Sequence, residues 1–157
     1  MKAERLVSEL RLVAHPEGGY YREMYRSSVM VLTAEGQRRS ALTNIYFLLT
    51  GETFSAWHRI DADETWHFYC GSDLVVSIIN ADGTLEDQRI GPEGPWQTTV
   101  PAGRHFAAHV PDATGYALVG CSVAPGFEFS AFELPTRDAL VAQYPQHTVA
   151  ITRFTRS

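Results

Sequence analysis

Lysine is nearly missing from this chain of 157 residues. Of its 13 basic residues only Lys2 is a lysine, against 18 Asp and Glu, and the formal net charge is −5. The arginine bias carries no functional inference, but the shortage of cations does. No basic stripe could follow a phosphate backbone, so nucleic acid is not expected as a partner. Cysteine is scarce too. Cys70 and Cys121 fall in apolar, strand-like segments outside any CxxC pair or disulfide framework, and read as buried reduced thiols. Long hydrophobic runs are absent: MKAERLVSELRLVAH places charges where a signal peptide needs an unbroken apolar stretch, and nothing reaches bilayer-spanning length. A cytoplasmic protein with no membrane partner is expected. What remains is 45% hydrophobic and 11% aromatic, the composition of one soluble domain over residues 1–157 with a sizeable core.

Leu6, Leu10 and Val13 recur at helical spacing, predicting a short amphipathic helix from about residue 4 to 13, ended by Pro16, Gly18 and Gly19. From Tyr20 the period becomes two. Strand-like runs such as LTNIYFLLT, TWHFYC, LVVSIIN and GYALVGCSVA alternate with turn signals such as Ala81-Asp82-Gly83 and Gly91-Pro92-Glu93-Gly94-Pro95. Many short strands without helices between them predict an all-β antiparallel sandwich or barrel. Near the end, Thr136 reads as the N-cap of a short helix whose stripe is Leu140, Val141 and Tyr144. TVAITRF reads as a strand pairing on an edge.

The segment HRIDADETWHFYCG, His58 to Gly71, concentrates the chemistry. Side chains two apart on a strand share a face, so Phe54, Ala56, His58 and Ile60 form one row, and Glu64, Trp66, Phe68 and Cys70 another. With His58 and Glu64 inward, His67, Tyr69, Trp57 and Arg59 point the other way, the last two toward sheet packing or a subunit contact. The spacing His58, Glu64, Gly71 resembles the first motif of the cupin superfamily, jelly-roll barrels in which two histidines and a glutamate of this motif, with a histidine of a second motif, bind a transition metal. The second motif, typically Pro-x-Gly-x-x-His, appears as Pro101-Ala102-Gly103-Arg104-His105-Phe106. Ile60 and Phe106 stand where two of the histidines would be. Two ligands of four are poor coordination, so no metal and no other cofactor is expected.

HPEGGYYREMYRS (His15 to Ser27), DETWHFYCG (Asp63 to Gly71), VPAGRHFAA (Val100 to Ala108) and LVGCSVAPGFEFSAFEL (Leu118 to Leu134) together resemble a family of small cupins catalogued as domain of unknown function 985. The resemblance runs over roughly residues 10 to 135. It implies a cupin jelly-roll barrel, a ligand-sized pocket inside it, commonly a homodimer, and no agreed reaction.

Parity then lines the pocket with Ala56, His58, Ile60, Glu64, Trp66, Phe68 and Phe106, an apolar, aromatic cavity with one imidazole and one carboxylate, suited to a small organic ligand. The structural reading of His58 and Glu64 is a buried couple with no further task. The catalytic reading makes His58 the general base and Glu64 its proton-sharing partner in a metal-independent isomerase or epimerase of a sugar-like or carbonyl compound. A non-catalytic ligand-binding barrel is the alternative, and a metal enzyme with an irregular ligand set a further one. Glu17-Gly-Gly-Tyr-Tyr-Arg22-Glu23 is similar to a segment that binds nucleotide in the metal-free epimerase cupins, which would place Arg22 on an anionic group at the mouth. Its structural reading is a glycine turn into an edge strand. Asp61 and Asp63 read as a polar turn, and His105 and His109 as surface histidines.

Overall fold

Period-two patterning produces two antiparallel sheets that face each other. The computed structural model describes residues 2–156. One sheet has six strands, ordered β1 (Val13–Ala14), β2 (Tyr20–Arg26), β5 (Thr43–Thr50), β12 (Tyr116–Ala124), β7 (Asp63–Gly71) and β10 (Gln97–Val100). The other orders β6 (Phe54–Arg59), β11 (His105–His109), β8 (Leu74–Ile79) and β9 (Leu85–Ile90); β3 (Met30–Leu32) and β4 (Arg38–Ser40) form a separate hairpin. Every pairing is antiparallel. The result is the expected jelly-roll barrel with short terminal helices.

Three layers of apolar contact hold it. Between the sheets lie Phe47, Leu49, Trp66, Val76, Ile78, Phe106 and Val119, all buried. Strand β8 is buried throughout because its other face is covered as well: Ile79, with Trp57 and Ala107, packs on Leu140, Ile151 and Phe154 from the C-terminal helices α2 (Arg137–Gln143) and α3 (Thr148–Arg153). At the outer face of the six-stranded sheet, Ala3 and Leu12 pack with Leu48 and Leu118, attaching α1 (Lys2–Glu9).

The N-terminal helix stops at Glu9, short of the expected residue 13. Arg11 has φ 53, its amide donates to Ser8 O and the Leu12 amide donates to Val7 O, the paired bonds of a left-handed helix stop. An arginine occupies the position that usually holds glycine, so no residue type marks a stop before Pro16, and Val13–Ala14 pairs with Tyr20 and Tyr21 instead. At the other end α2 begins at the expected cap, Thr136 Oγ1 accepting from the Ala139 amide at 3.3 Å. TVAITRF is a helix, not an edge strand. Its β-branched residues favour a strand locally, but helical spacing puts Ile151 and Phe154 together against Trp57, and Trp57 Nε1 donates to Ala150 O. This cover also corrects the expectation for two histidines. His105 is buried beside Tyr144 and His109 stacks on Phe154, so neither lies on an open surface.

Candidate functional site

At the end of the barrel where β2, β6 and β12 finish and β5 and β7 begin, the two sheets part around a cavity of about 280 Å³. His58 enters it from β6. Phe106 faces His58 across the β11 pairing and Ala108 faces Ser55, so β6 carries one extra residue at Ala56–Trp57. This bulge turns the Ala56 carbonyl toward the following imidazole, and His58 Nδ1 lies 2.7 Å from Ala56 O. A carbonyl only accepts, so Nδ1 carries a hydrogen and Nε2 is left to meet another group.

That group is Glu17, whose Oε2 stands 3.0 Å from Nε2. Glu17 lies in the loop between β1 and β2, and the loop is tied to β6. The Ala56 amide and Arg156 Nη1 both donate to Glu17 O at 2.8 Å, and the Glu17 amide donates to His15 Nδ1 at 3.1 Å. Gly18, at φ 111, permits this approach; a Cβ there would collide with Phe54 O and the Arg156 guanidinium. Burial alone would raise the Glu17 pKa, but the charge and hydrogen bond of His58 hold it below the ordinary carboxylate range. Burial would lower His58, and the same pair, with the Glu64 charge added, raises it. The two groups therefore form an imidazolium–carboxylate pair. His15 is held neutral, chiefly by burial, in keeping with its Nδ1 accepting from an amide.

Glu64 opens β7 on the inward face, paired with Val100 on one side and Val123 on the other. Burial between these valines, reinforced by the charge on Glu17 and opposed by His58 and a hydrogen bond with Cys121, pushes it up to about 7. A carboxyl in this state exchanges its proton at neutral pH.

The mouth is built from β2 and from the segment after β12. Phe127 and Phe129 face Tyr21 and the His15 ring. This segment is fastened at several points: the Gly126 amide donates to Ser40 O, the Phe127 amide to Thr43 Oγ1, and Arg59 Nη2 lies 2.5 Å from Glu133 Oε2. Asp61, expected in a polar turn, holds both terminal nitrogens of the buried Arg39, whose Nε donates to Gly126 O. Asp63 caps the turn before β11, accepting from the Ala102 amide.

The structure brings together only part of the expected lining. His58 and Glu64 are on the cavity wall, but His58 pairs with Glu17, not with Glu64. Ile60, Trp66 and Phe106 are buried behind it in the inter-sheet core, with Phe68 packed against them; the Phe106 ring lies 4.0 Å from His58. Ala56 contributes through its backbone. Arg22 is on the outer face, opposite Tyr46, reaching Leu10 O at 3.3 Å; a bulge between Glu23 and Tyr25 brings Arg26 inward in its place. A bulge at Tyr69 likewise moves Cys70 out of the inner row, to pack with Leu48 and Leu118. Sequence reasoning missed Glu17, His15, Arg26, Phe127 and Phe129. Glu17 had one signal, an acid preceding two glycines in an otherwise apolar strand entry.

The donor set does not fit the metal of metal-binding cupins. Hydrocarbon fills two ligand positions, His58 Nε2 is engaged by Glu17, and among the described residues no three His, Cys, Asp or Glu side chains are arranged to hold one ion.

Residues 4–135 match the family described as cupin superfamily (DUF985). The chain belongs to this cupin family. A hypothetical protein from Leishmania major is 37% identical, with a TM-score of 0.94 and 99% of each chain covered. A protein from Shewanella oneidensis is also 37% identical, with a TM-score of 0.88 over 98% of this chain and 97% of that one. A variant of Bacillus subtilis oxalate decarboxylase shares the cupin fold at 16% identity and a TM-score of 0.59, over 91% of this chain and 37% of that one. No curated protein matches the sequence.

Proposed function

We propose that this cupin is a metal-independent isomerase or epimerase that moves a proton next to the carbonyl of a small sugar-like compound. The observation that carries the reading is the His58 Nε2–Glu17 Oε2 contact of 3.0 Å on the same cavity wall as a buried, unpaired-by-arginine Glu64. Both nitrogens of His58 are occupied, so the role of base passes from His58, as expected from sequence, to Glu64. Glu64 in its carboxylate form takes the proton from the carbon beside the carbonyl, and the electron pair of that C–H bond forms an enolate. The Glu17–His58 pair holds one proton between two heteroatoms and supplies it to the enolate oxygen. Reversal of both transfers, with the proton returned to the other face or the neighbouring carbon, completes the reaction without net gain or loss of electrons.

Solvent exchange tests this directly. Small aldoses and ketoses incubated with the protein in D2O should acquire deuterium beside the carbonyl, and Glu64→Gln should slow that incorporation by about 100-fold or more. Incorporation by the variant at the unaltered rate would remove Glu64 as the base. The saturated hydrogen bonding of His58 also favours a second reading, a barrel that binds its ligand without chemistry. Binding without any exchange would select it.

A further inference from the structure

We infer that the cavity selects a small positively charged molecule, an amine-bearing sugar or carbonyl compound, and excludes anions. The inference rests on reading this cavity as the active site and adds the charge of what enters it. Four carboxylates line the space, Glu17, Glu23, Glu64 and Glu128. Among the described residues on its wall Arg26 is the one arginine or lysine, and its guanidinium is already committed. Nη2 donates to Glu23 Oε1 at 2.7 Å and to Phe127 O at 2.9 Å, while Nη1 donates to Glu128 Oε1 at 2.9 Å. The His58 imidazolium is neutralised by Glu17, so it can pass a proton to a reacting oxygen without offering net positive charge to a bound anion. No cation is left to receive a phosphate or carboxylate, and a ligand of that kind would bury its charge beside like charges.

A cation meets the opposite conditions. Glu64 offers a buried carboxyl with no arginine or lysine among the described residues beside it, and the cavity wall carries the rings of Tyr21, Phe127 and Phe129, aromatic groups of the kind that attract ammonium ions. At about 280 Å³ the cavity lies at the lower end of ligand pockets, which begin near 300 Å³, so it accommodates one ring-sized molecule and not a nucleotide sugar.

Calorimetric titration at neutral pH with 2-amino-2-deoxyglucose, glucose and glucuronate compares one ring in three charge states. The amine should bind about tenfold more tightly than glucose, and glucuronate should give no binding heat up to about 50 mM. Replacing both Glu23→Gln and Glu128→Gln removes the charges that neutralise Arg26, and that variant should gain affinity for glucuronate and bind the amine with a smaller preference over glucose. Glucuronate binding to the unaltered protein as tightly as the amine would overturn the inference, and so would absence of amine binding up to about 50 mM. Amine binding without deuterium exchange would leave this inference standing and remove only the catalytic reading; exchange on an anionic substrate would do the reverse.

Discussion

Replacing Glu64 with glutamine should make this protein more stable, by an amount that grows as pH rises from 4.5 to about 7 and is fully present above it. The folded-state pKa of Glu64 is raised from 4.5 to about 7, chiefly by burial. Between those values the folded protein holds a proton that the unfolded chain releases, so stability falls as pH rises through this interval. A rise from 4.5 to about 7, at about 1.4 kcal/mol for each tenfold change in proton affinity, costs about 3 kcal/mol once pH exceeds 7. The groups facing Glu64 are Glu17, which adds to the rise, and His58 and Cys121, which oppose it. Glutamine has nearly the same shape and no charge to bury. Urea unfolding of Glu64→Gln and the unaltered protein should coincide within about 1 kcal/mol at pH 4.5. At pH 8.5 they should diverge, with the variant more stable by an amount approaching 3 kcal/mol. A gain of equal size at both pH values would mean that the effect is packing and not charge. No gain at pH 8.5 would mean that Glu64 ionises without penalty, and the acid–base reading would lose its base.

Two further outcomes follow from the loop that carries Glu17. Glu17→Gln removes the main group raising the His58 pKa, so burial should pull it below the ordinary 6.5 and leave the ring neutral at pH 7. Nitrogen chemical shifts of the imidazole report this, and a ring that stays protonated at pH 7 would show that Glu17 is not its charge partner. Arg156→Met removes the donors to Glu17 O and Phe54 O, and the expected cost is about 2 kcal/mol of unfolding free energy together with weaker ligand binding. Loss of stability with ligand affinity unchanged would show that Arg156 fastens the C-terminus without positioning the site.

The strands were legible in the sequence because short apolar, β-branched or aromatic runs bounded by turn residues are a local signal, read correctly from TWHFYC or LVVSII alone. The helix-to-strand errors have a common physical origin in tertiary packing. Arg11 tolerates φ 53 because Leu12 then docks on Leu48 and Leu118, and TVAITRF becomes helical because Trp57 offers a surface for Ile151 and Phe154. Strict parity failed wherever a bulge intervened. One extra residue in β6, β2 or β7 sent Phe54 outward, brought Arg26 to the cavity and removed Cys70 from the inner row, whereas Arg22, between Tyr21 and Glu23 on the cavity wall, faces outward by parity itself, and its expected place came from the resemblance. His58 and Glu64 were found because their spacing with Gly71 resembles the first cupin motif. Glu17 was not, because its place depends on a glycine loop closing across to β6 and on an arginine from the far end of the chain.

The interrupted motif acquires a physical rationale from these contacts. In a metal-binding cupin the cavity's positive charge comes from an ion. Here Ile60 and Phe106 surround His58 with hydrocarbon, and the positive charge is a proton on His58 itself, kept there by Glu17. The substitution of hydrocarbon for imidazole and the arrival of the loop carboxylate depend on each other. Without Glu17 the apolar surroundings would discharge His58, and without His58 they would drive a proton onto Glu17. A pair balanced in this way neutralises itself, so the charge that a ligand encounters is set by Glu64 and by the acidic excess around Arg26. On the proposed acid–base reading, activity would be governed by how a ligand changes the protonation of Glu64, and a cation that lowers its proton affinity would generate the carboxylate base on binding.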